Sequence, residues 1–134
     1  MFISLKNLLL LGALIGIASC SKQDSAATNA GTTKQSSLHW AAPQDQLTVE
    51  VNDSLDVSLS IDGMWGLHEY TLQLLDSENQ EVYYEGDHSH QWTFELERKI
   101  ALAPYGPGSY SLLFRATNHN NELLEKKCVV QVNP

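Results

Sequence analysis

The sequence predicts an all-β domain, two antiparallel sheets packed face to face, preceded by a stretch that takes no part in the fold. Three observations predict it. From Gln46 onward apolar and polar residues alternate with a period of two, the pattern of half-buried strands. Turn residues interrupt that alternation about every 8–12 positions. No segment repeats its apolar residues at the 3.6 spacing of a helix.

The elements follow in order. Leu47, Val49 and Val51 alternate with polar neighbours up to a turn at Asn52-Asp53. Leu55, Val57, Leu59 and Ile61 alternate with Asp56, Ser58, Ser60 and Asp62, the cleanest strand in the chain. A loop at 62–66 leads to His68, Tyr70, Leu72 and Leu74 on one face. Residues 76–79 turn the chain, and Val82 and Tyr84 continue the inner face. After a loop at 86–90, Trp92, Phe94 and Leu96 point inward against Thr93, Glu95 and Glu97. Pro104-Tyr105-Gly106-Pro107-Gly108 is a dense turn signal. Tyr110, Leu112, Phe114 and Ala116 form the next inner face, 118–121 turns again, and Leu124, Cys128, Val130 and Val132 finish the chain.

Seven such strands match an immunoglobulin-like antiparallel β-sandwich. Gly108-Ser109-Tyr110 resembles a tyrosine corner, in which the phenol bonds back to the preceding connection. Leu112 stands where antibody domains carry a disulfide cysteine, so packing must replace the staple. The phase of Cys128 with Val130 and Val132 marks it as a buried structural thiol.

The first residues read as an address. Met1–Lys6 is a short positive segment and Leu8–Ile17 an apolar run, too short for the roughly 20 residues that span a bilayer but suited to a secretory signal. Ile17-Ala18-Ser19-Cys20 resembles the lipobox of bacterial lipoproteins. That resemblance implies cleavage before Cys20 and attachment of long acyl chains of the palmitate kind, at about 0.8 kcal/mol for each buried methylene. An ordinary secretory signal with a cysteine at its cleavage point is the alternative. Ser21, where aspartate favours inner-membrane retention, points to the outer membrane. The expected organisation is therefore signal 1–19, lipidated Cys20 with a linker to 37, and a domain over 38–134. The linker has no aromatic and no large aliphatic residue, so it reads as a tether with a reach of about 20–25 Å.

Charge excludes some partners. The whole chain has 134 residues, 8 basic and 16 acidic side chains and a net charge of −8. Residues 38–134 hold five of the basic and fifteen of the acidic groups, a net −10. Such a surface repels nucleic acid and anionic lipid.

The histidines carry the chemistry. If each connection reverses the chain, the 62–66, 86–90 and 118–121 loops and the N-terminal approach at 38–43 share one end. All five histidines fall there: His39, His68, His88, His90 and His119. In Asp87-His88-Ser89-His90 the two imidazoles are two residues apart and point the same way in an extended chain. They are suitable ligands for Zn²⁺ or Cu²⁺, with Asp87 as a third ligand or an orienting group. His68, on inner-face phase at the same end, is the candidate ligand from outside the loop. A polar loop beside a hydrogen-bonded rim histidine is the other reading. Trp92 is expected in the core. Trp40 and Trp65 either form an exposed platform for a protein or glycan partner or pack over the end of the sandwich as a lid. Catalysis has no support: no nucleophile elbow or oxyanion motif accompanies the Asp, His and Ser residues.

Gly86-Asp87-His88-Ser89-His90, Trp92 and then Pro107-Gly108-Ser109-Tyr110 resemble a family of small immunoglobulin-like lipoproteins typical of Bacteroidota envelopes, over about residues 44–132. In that family a histidine-rich DxHxH-like loop precedes a tryptophan strand, and a Pro-Gly-x-Tyr strand follows. The match extends to Asp87, His88, His90, Trp92, Gly108 and Tyr110. It departs at Ser111, where members often carry another histidine. The resemblance implies an envelope location and this fold, and assigns no activity.

Overall fold

The computed structural model describes residues 36–63 and 66–134. The signal, Cys20, most of the tether and Trp65 lie outside the described residues. The fold is the immunoglobulin-like β-sandwich, with eight strands among the described residues rather than seven. They are β1 Ser37–Ala42, β2 Gln46–Glu50, β3 Ser54–Asp62, β4 Leu67–Leu75, β5 Glu81–His88, β6 Phe94–Ala101, β7 Gly108–Asn118 and β8 Leu123–Asn133. One sheet runs β1-β3-β6, the other β2-β8-β7-β4-β5.

The additional strand is β1, expected only as an approach to the domain. Leu38, Trp40 and Ala42 alternate with exposed neighbours and β1 pairs antiparallel with β3. The chain then crosses to the other sheet, where β2 pairs parallel with β8. The fold also begins earlier than residue 38: Ser36 is buried and its hydroxyl donates to Glu122 Oε2 at 2.8 Å.

Between the sheets lies a single apolar layer. Leu55, Val57, Leu59 and Ile61 of β3 and Leu96 and Ile100 of β6 face Leu72, Leu74, Leu112, Phe114, Val130 and Val132. Each of these large side chains contributes about 1.5–3 kcal/mol through burial. Cys128 is 1% exposed, and burial pushes its thiol pKa up. The tyrosine corner is present: the Tyr110 hydroxyl donates to Tyr105 O at 2.7 Å and Gly106 O at 3.0 Å.

Three side chains take other places than their spacing suggests. Tyr84 is 56% exposed, because Leu74 pairs with Tyr83 and Leu72 with Glu85, which puts Tyr83 and Glu85 on the inner phase. Trp92 is 68% exposed, because β6 starts only at Phe94 and the tryptophan belongs to the loop before it. Glu85 is not a solvated outward acid. It meets Arg98, which has the inner phase of β6 opposite Val57.

β5 and β6 are edge strands of the two sheets, and this pair joins them. The Arg98 Nε donates to both carboxylate oxygens of Glu85 at 2.7 Å, and the Tyr70 and Tyr83 hydroxyls donate to the same group at 3.0 and 2.9 Å. Charged residues pointing inward also discourage edge-to-edge pairing with another chain.

Candidate functional site

Three separate local structures bring histidines together at one end of the sandwich. The first is the start of β4. Leu67 pairs with Asn118 but Glu69 with Thr117, so β4 carries one extra residue there. Leu67 and Tyr70, three apart, are both buried. The bulge therefore takes His68 off the inner-face phase that simple alternation assigns it.

The second is the end of β5. His88 pairs with Glu69 across the ladder, on the face away from the core. The chain beyond it stays clipped to β4: Ser89 N–H donates to His68 O at 3.2 Å and Leu67 N–H donates to Gln91 O at 3.0 Å. These bonds hold the His88–His90 pair beside His68. Asp87 alternates to the opposite face, opposite buried Tyr70, and its Oδ1 accepts the backbone N–H of His88 at 2.7 Å. Its carboxylate thus orients the His88 backbone and is not brought to the histidines as a third ligand.

The third is the β7–β8 hairpin. Asn118 is 1% exposed and its Oδ1 accepts the N–H groups of Asn120 and Glu122, both at 2.9 Å. Its amide donates to Glu122 Oε2 at 2.9 Å. Such an asparagine side chain imitates a turn of backbone, and Asn121 completes the reversal with φ +60°. His119 follows the anchored Asn118, and its ring lies over Gly66. A Cβ added there would come within 3.2 Å of His119 Cδ2, and Gly66 also has φ +72°.

The result is a closed circuit of four imidazoles. Ring centres are 4.4 Å apart for His68–His88, 4.6 Å for His88–His90, 5.0 Å for His90–His119 and 5.1 Å for His68–His119. His88 Nε2 lies 3.0 Å from His90 Nε2, and His90 Nδ1 lies 2.9 Å from His119 Nε2. His90 thus has a neighbour at each nitrogen, which a neutral imidazole satisfies with one donor and one acceptor. Desolvation, then the nearby His90, His68 and His88, hold the His119 pKa below its usual value, which favours a free lone pair. His90 turns its two nitrogens toward different partners, and no three His, Cys, Asp or Glu side chains among the described residues meet the geometry of a bound ion.

The other candidates lie elsewhere. His39 is on β1, in the opposite sheet, with its Nε2 3.3 Å from Asp62 Oδ2 and 3.2 Å from Ser37 Oγ. Trp40 is half-buried. Its ring centre is 6.1 Å from that of Phe114 and its Nε1 donates to Pro43 O at 2.6 Å. It lines the core and is not an exposed partner platform. His119 belongs to the cluster although spacing alone did not single it out as a ligand. The turn signal at 118–121 and its place at the histidine end were the available clues.

No protein-family model matches the sequence, and comparison with curated proteins found no match. Among solved structures, CopC from Methylosinus trichosporium is similar over 73% of this chain and 95% of that one, with 16% identity and a TM-score of 0.46. A superoxide reductase (neelaredoxin) from Ignicoccus hospitalis is similar over 72% of this chain and 80% of its own, at 11% identity and a TM-score of 0.48. A CARDB domain from Pyrococcus furiosus, solved with di-metal ions, covers 75% and 94% at 13% identity and a TM-score of 0.41.

Proposed function

We propose that this chain is a lipid-anchored, non-enzymatic binding module of the bacterial cell envelope that holds one transition-metal ion, Zn²⁺ or Cu²⁺, between His68, His88, His90 and His119. The four-histidine circuit carries the reading. With a metal–nitrogen bond of about 2.0–2.1 Å, the centre of a bound imidazole lies about 3.2 Å from the ion. Four rings around one ion then have neighbouring centres about 4.5 Å apart in a square and about 5.2 Å apart in a tetrahedron. The separations here run from 4.4 to 5.1 Å.

Anchoring rests on Ile17-Ala18-Ser19-Cys20, with the outer membrane as the expected site. The acidic domain would then sit near the membrane through lipid and not through charge. A second reading, a metal-free contact surface for a protein or glycan, is favoured by Trp92, which is 68% exposed in the loop that carries His90.

Calorimetric titration of the full-length protein in detergent with Zn²⁺ and Cu²⁺ tests the site. The expected result is one ion per chain, bound at micromolar concentration or below and weakened at least about tenfold in His88→Ala/His90→Ala. Binding no tighter than millimolar, or unchanged in the double variant, overturns the metal reading and leaves the contact surface. For the anchor, Cys20→Ser should release the protein from membranes, and retention would remove the lipoprotein assignment.

A further inference from the structure

The metal reading leaves the ion and its geometry open. Resting on that reading, we infer that the site is a Cu²⁺ site with four imidazole nitrogens in a tetragonal arrangement, His119 being the fourth ligand.

The donor set is the first argument. Imidazoles alone form the circuit, since Asp87 turns its carboxylate to the His88 backbone and the Cys128 thiol is sealed in the core, 1% exposed. Neutral nitrogen donors without carboxylate or thiolate suit Cu²⁺, which also exceeds Zn²⁺ in affinity for a given nitrogen site.

The nitrogen separations are the second. Adjacent nitrogens of a square-planar ion are √2 bond lengths apart, about 2.8–3.0 Å, whereas those of a tetrahedral ion are about 3.3–3.4 Å apart. His88 Nε2 and His90 Nε2 lie 3.0 Å apart, whereas His119 Nε2 faces the other nitrogen of His90, Nδ1, and an imidazole binds one ion through one nitrogen only. A tetragonal ion held through His88 Nε2 and His90 Nε2 preserves the spacing of that pair. A tetrahedral one must push that pair apart, against a loop held by the 89–68 and 67–91 backbone bonds.

The third argument is where the ligands come from. Two lie on the loop after β5, one on the β4 bulge and one on the β7–β8 hairpin, so the ion cross-links three segments of one sheet end. His88, His90 and His119 are exposed and His68 half-buried, which leaves the cluster open to water. On binding, the N–H that bridges each histidine pair moves to the other nitrogen of its ring through solvent. Four neutral imidazoles then become four donors with no net change in charge beyond that of the ion.

The test is electron paramagnetic resonance of the full-length protein in detergent, loaded with one equivalent of Cu²⁺, together with Zn²⁺ competition. The expected spectrum is that of a tetragonal ion with splitting from four nitrogens, and displacement requires about a hundredfold excess of Zn²⁺ or more. His119→Ala, at an exposed turn position where folding is not at risk, should reduce the count to three nitrogens and weaken Cu²⁺ binding at least about tenfold. A spectrum with two or fewer nitrogens, one unchanged in His119→Ala, or Zn²⁺ binding as tightly as Cu²⁺ overturns this inference and leaves a metal site. Failure to bind either ion overturns both.

Discussion

Replacing Gly66 by alanine tests whether His119 belongs to the site, because Gly106 supplies a matched control. Both glycines have a left-handed backbone, φ +72° at Gly66 and +80° at Gly106. An alanine in that region costs about 1–2 kcal/mol, so both variants should lose about that much stability. They differ in what the new methyl group meets. At Gly106 nothing lies within 4 Å, whereas at Gly66 the Cβ is 3.2 Å from His119 Cδ2 and 3.6 Å from its Nε2. The His119 ring is exposed and can swing away, so the clash should appear as a misplaced ligand and not as further lost stability. Displacing one of four ligands should weaken metal binding about ten- to hundredfold in Gly66→Ala. Gly106→Ala, at the opposite end of the sandwich, should bind as the parent does. Urea unfolding and Cu²⁺ titration on the same preparations read both quantities. Equal loss of affinity in the two variants would show a general effect of strain, and unchanged affinity in Gly66→Ala would remove His119 from the ligand set. Either result refutes the reasoning.

Two further predictions concern the frame. The Arg98 hydrogen bonds, with those from Tyr83 and Tyr70, hold the Glu85 pKa below its ordinary value. The unfolded chain therefore takes up the proton first as pH falls, and the contribution of this carboxylate is lost from about pH 4.5 downward through its folded pKa. Glu85→Gln should cost about 1–2 kcal/mol at neutral pH, discounted because Arg98 is 42% exposed, and should flatten the acid limb of the urea midpoint. At the other extreme, burial and the Glu85 bond push the Tyr83 phenol up to about 12, so stability should fall between about pH 10 and 12 and do so less in Tyr83→Phe. In the tyrosine corner, Tyr110→Phe removes a hydroxyl that bonds two carbonyls. It should cost about 1 kcal/mol, or about 4–8 °C in Tm, with metal binding unaltered. A thermal shift of less than about 2 °C would mean that the corner is ornamental in this domain.

Much of the fold was legible from local pattern. Leu55 to Ile61 and Tyr110 to Ala116 alternate with a period of two, and that period is the geometry of a strand with one face in the core. The reversals at 76–79 and 118–121 were legible too. Asp76 Oδ1 accepts the N–H groups of Glu78 and Gln80 in the way that Asn118 serves its own hairpin, and such side chains organise a turn from within it. The histidine end was readable to the extent that loops alternate between ends. Three things were not: the phase of His68, the direction of Asp87 and the inward place of Glu85. A single extra residue in a strand reverses every facing beyond it, and only pairing with a neighbouring strand reveals the bulge.

Sequence alone thus determined the strand-rich sandwich, the buried thiol and the acidic surface, because each depends on the character of neighbouring residues. Tertiary structure decided that His68, His88, His90 and His119 form one circuit, that Trp40 lines the core while Trp92 is exposed, and that Glu85 joins Arg98 across the open edge. Those contacts link strands of different sheets or loops of different hairpins. His90 and His119, 29 residues apart, meet because the sheet places β5, β4 and β7 side by side, and no local spacing encodes that order.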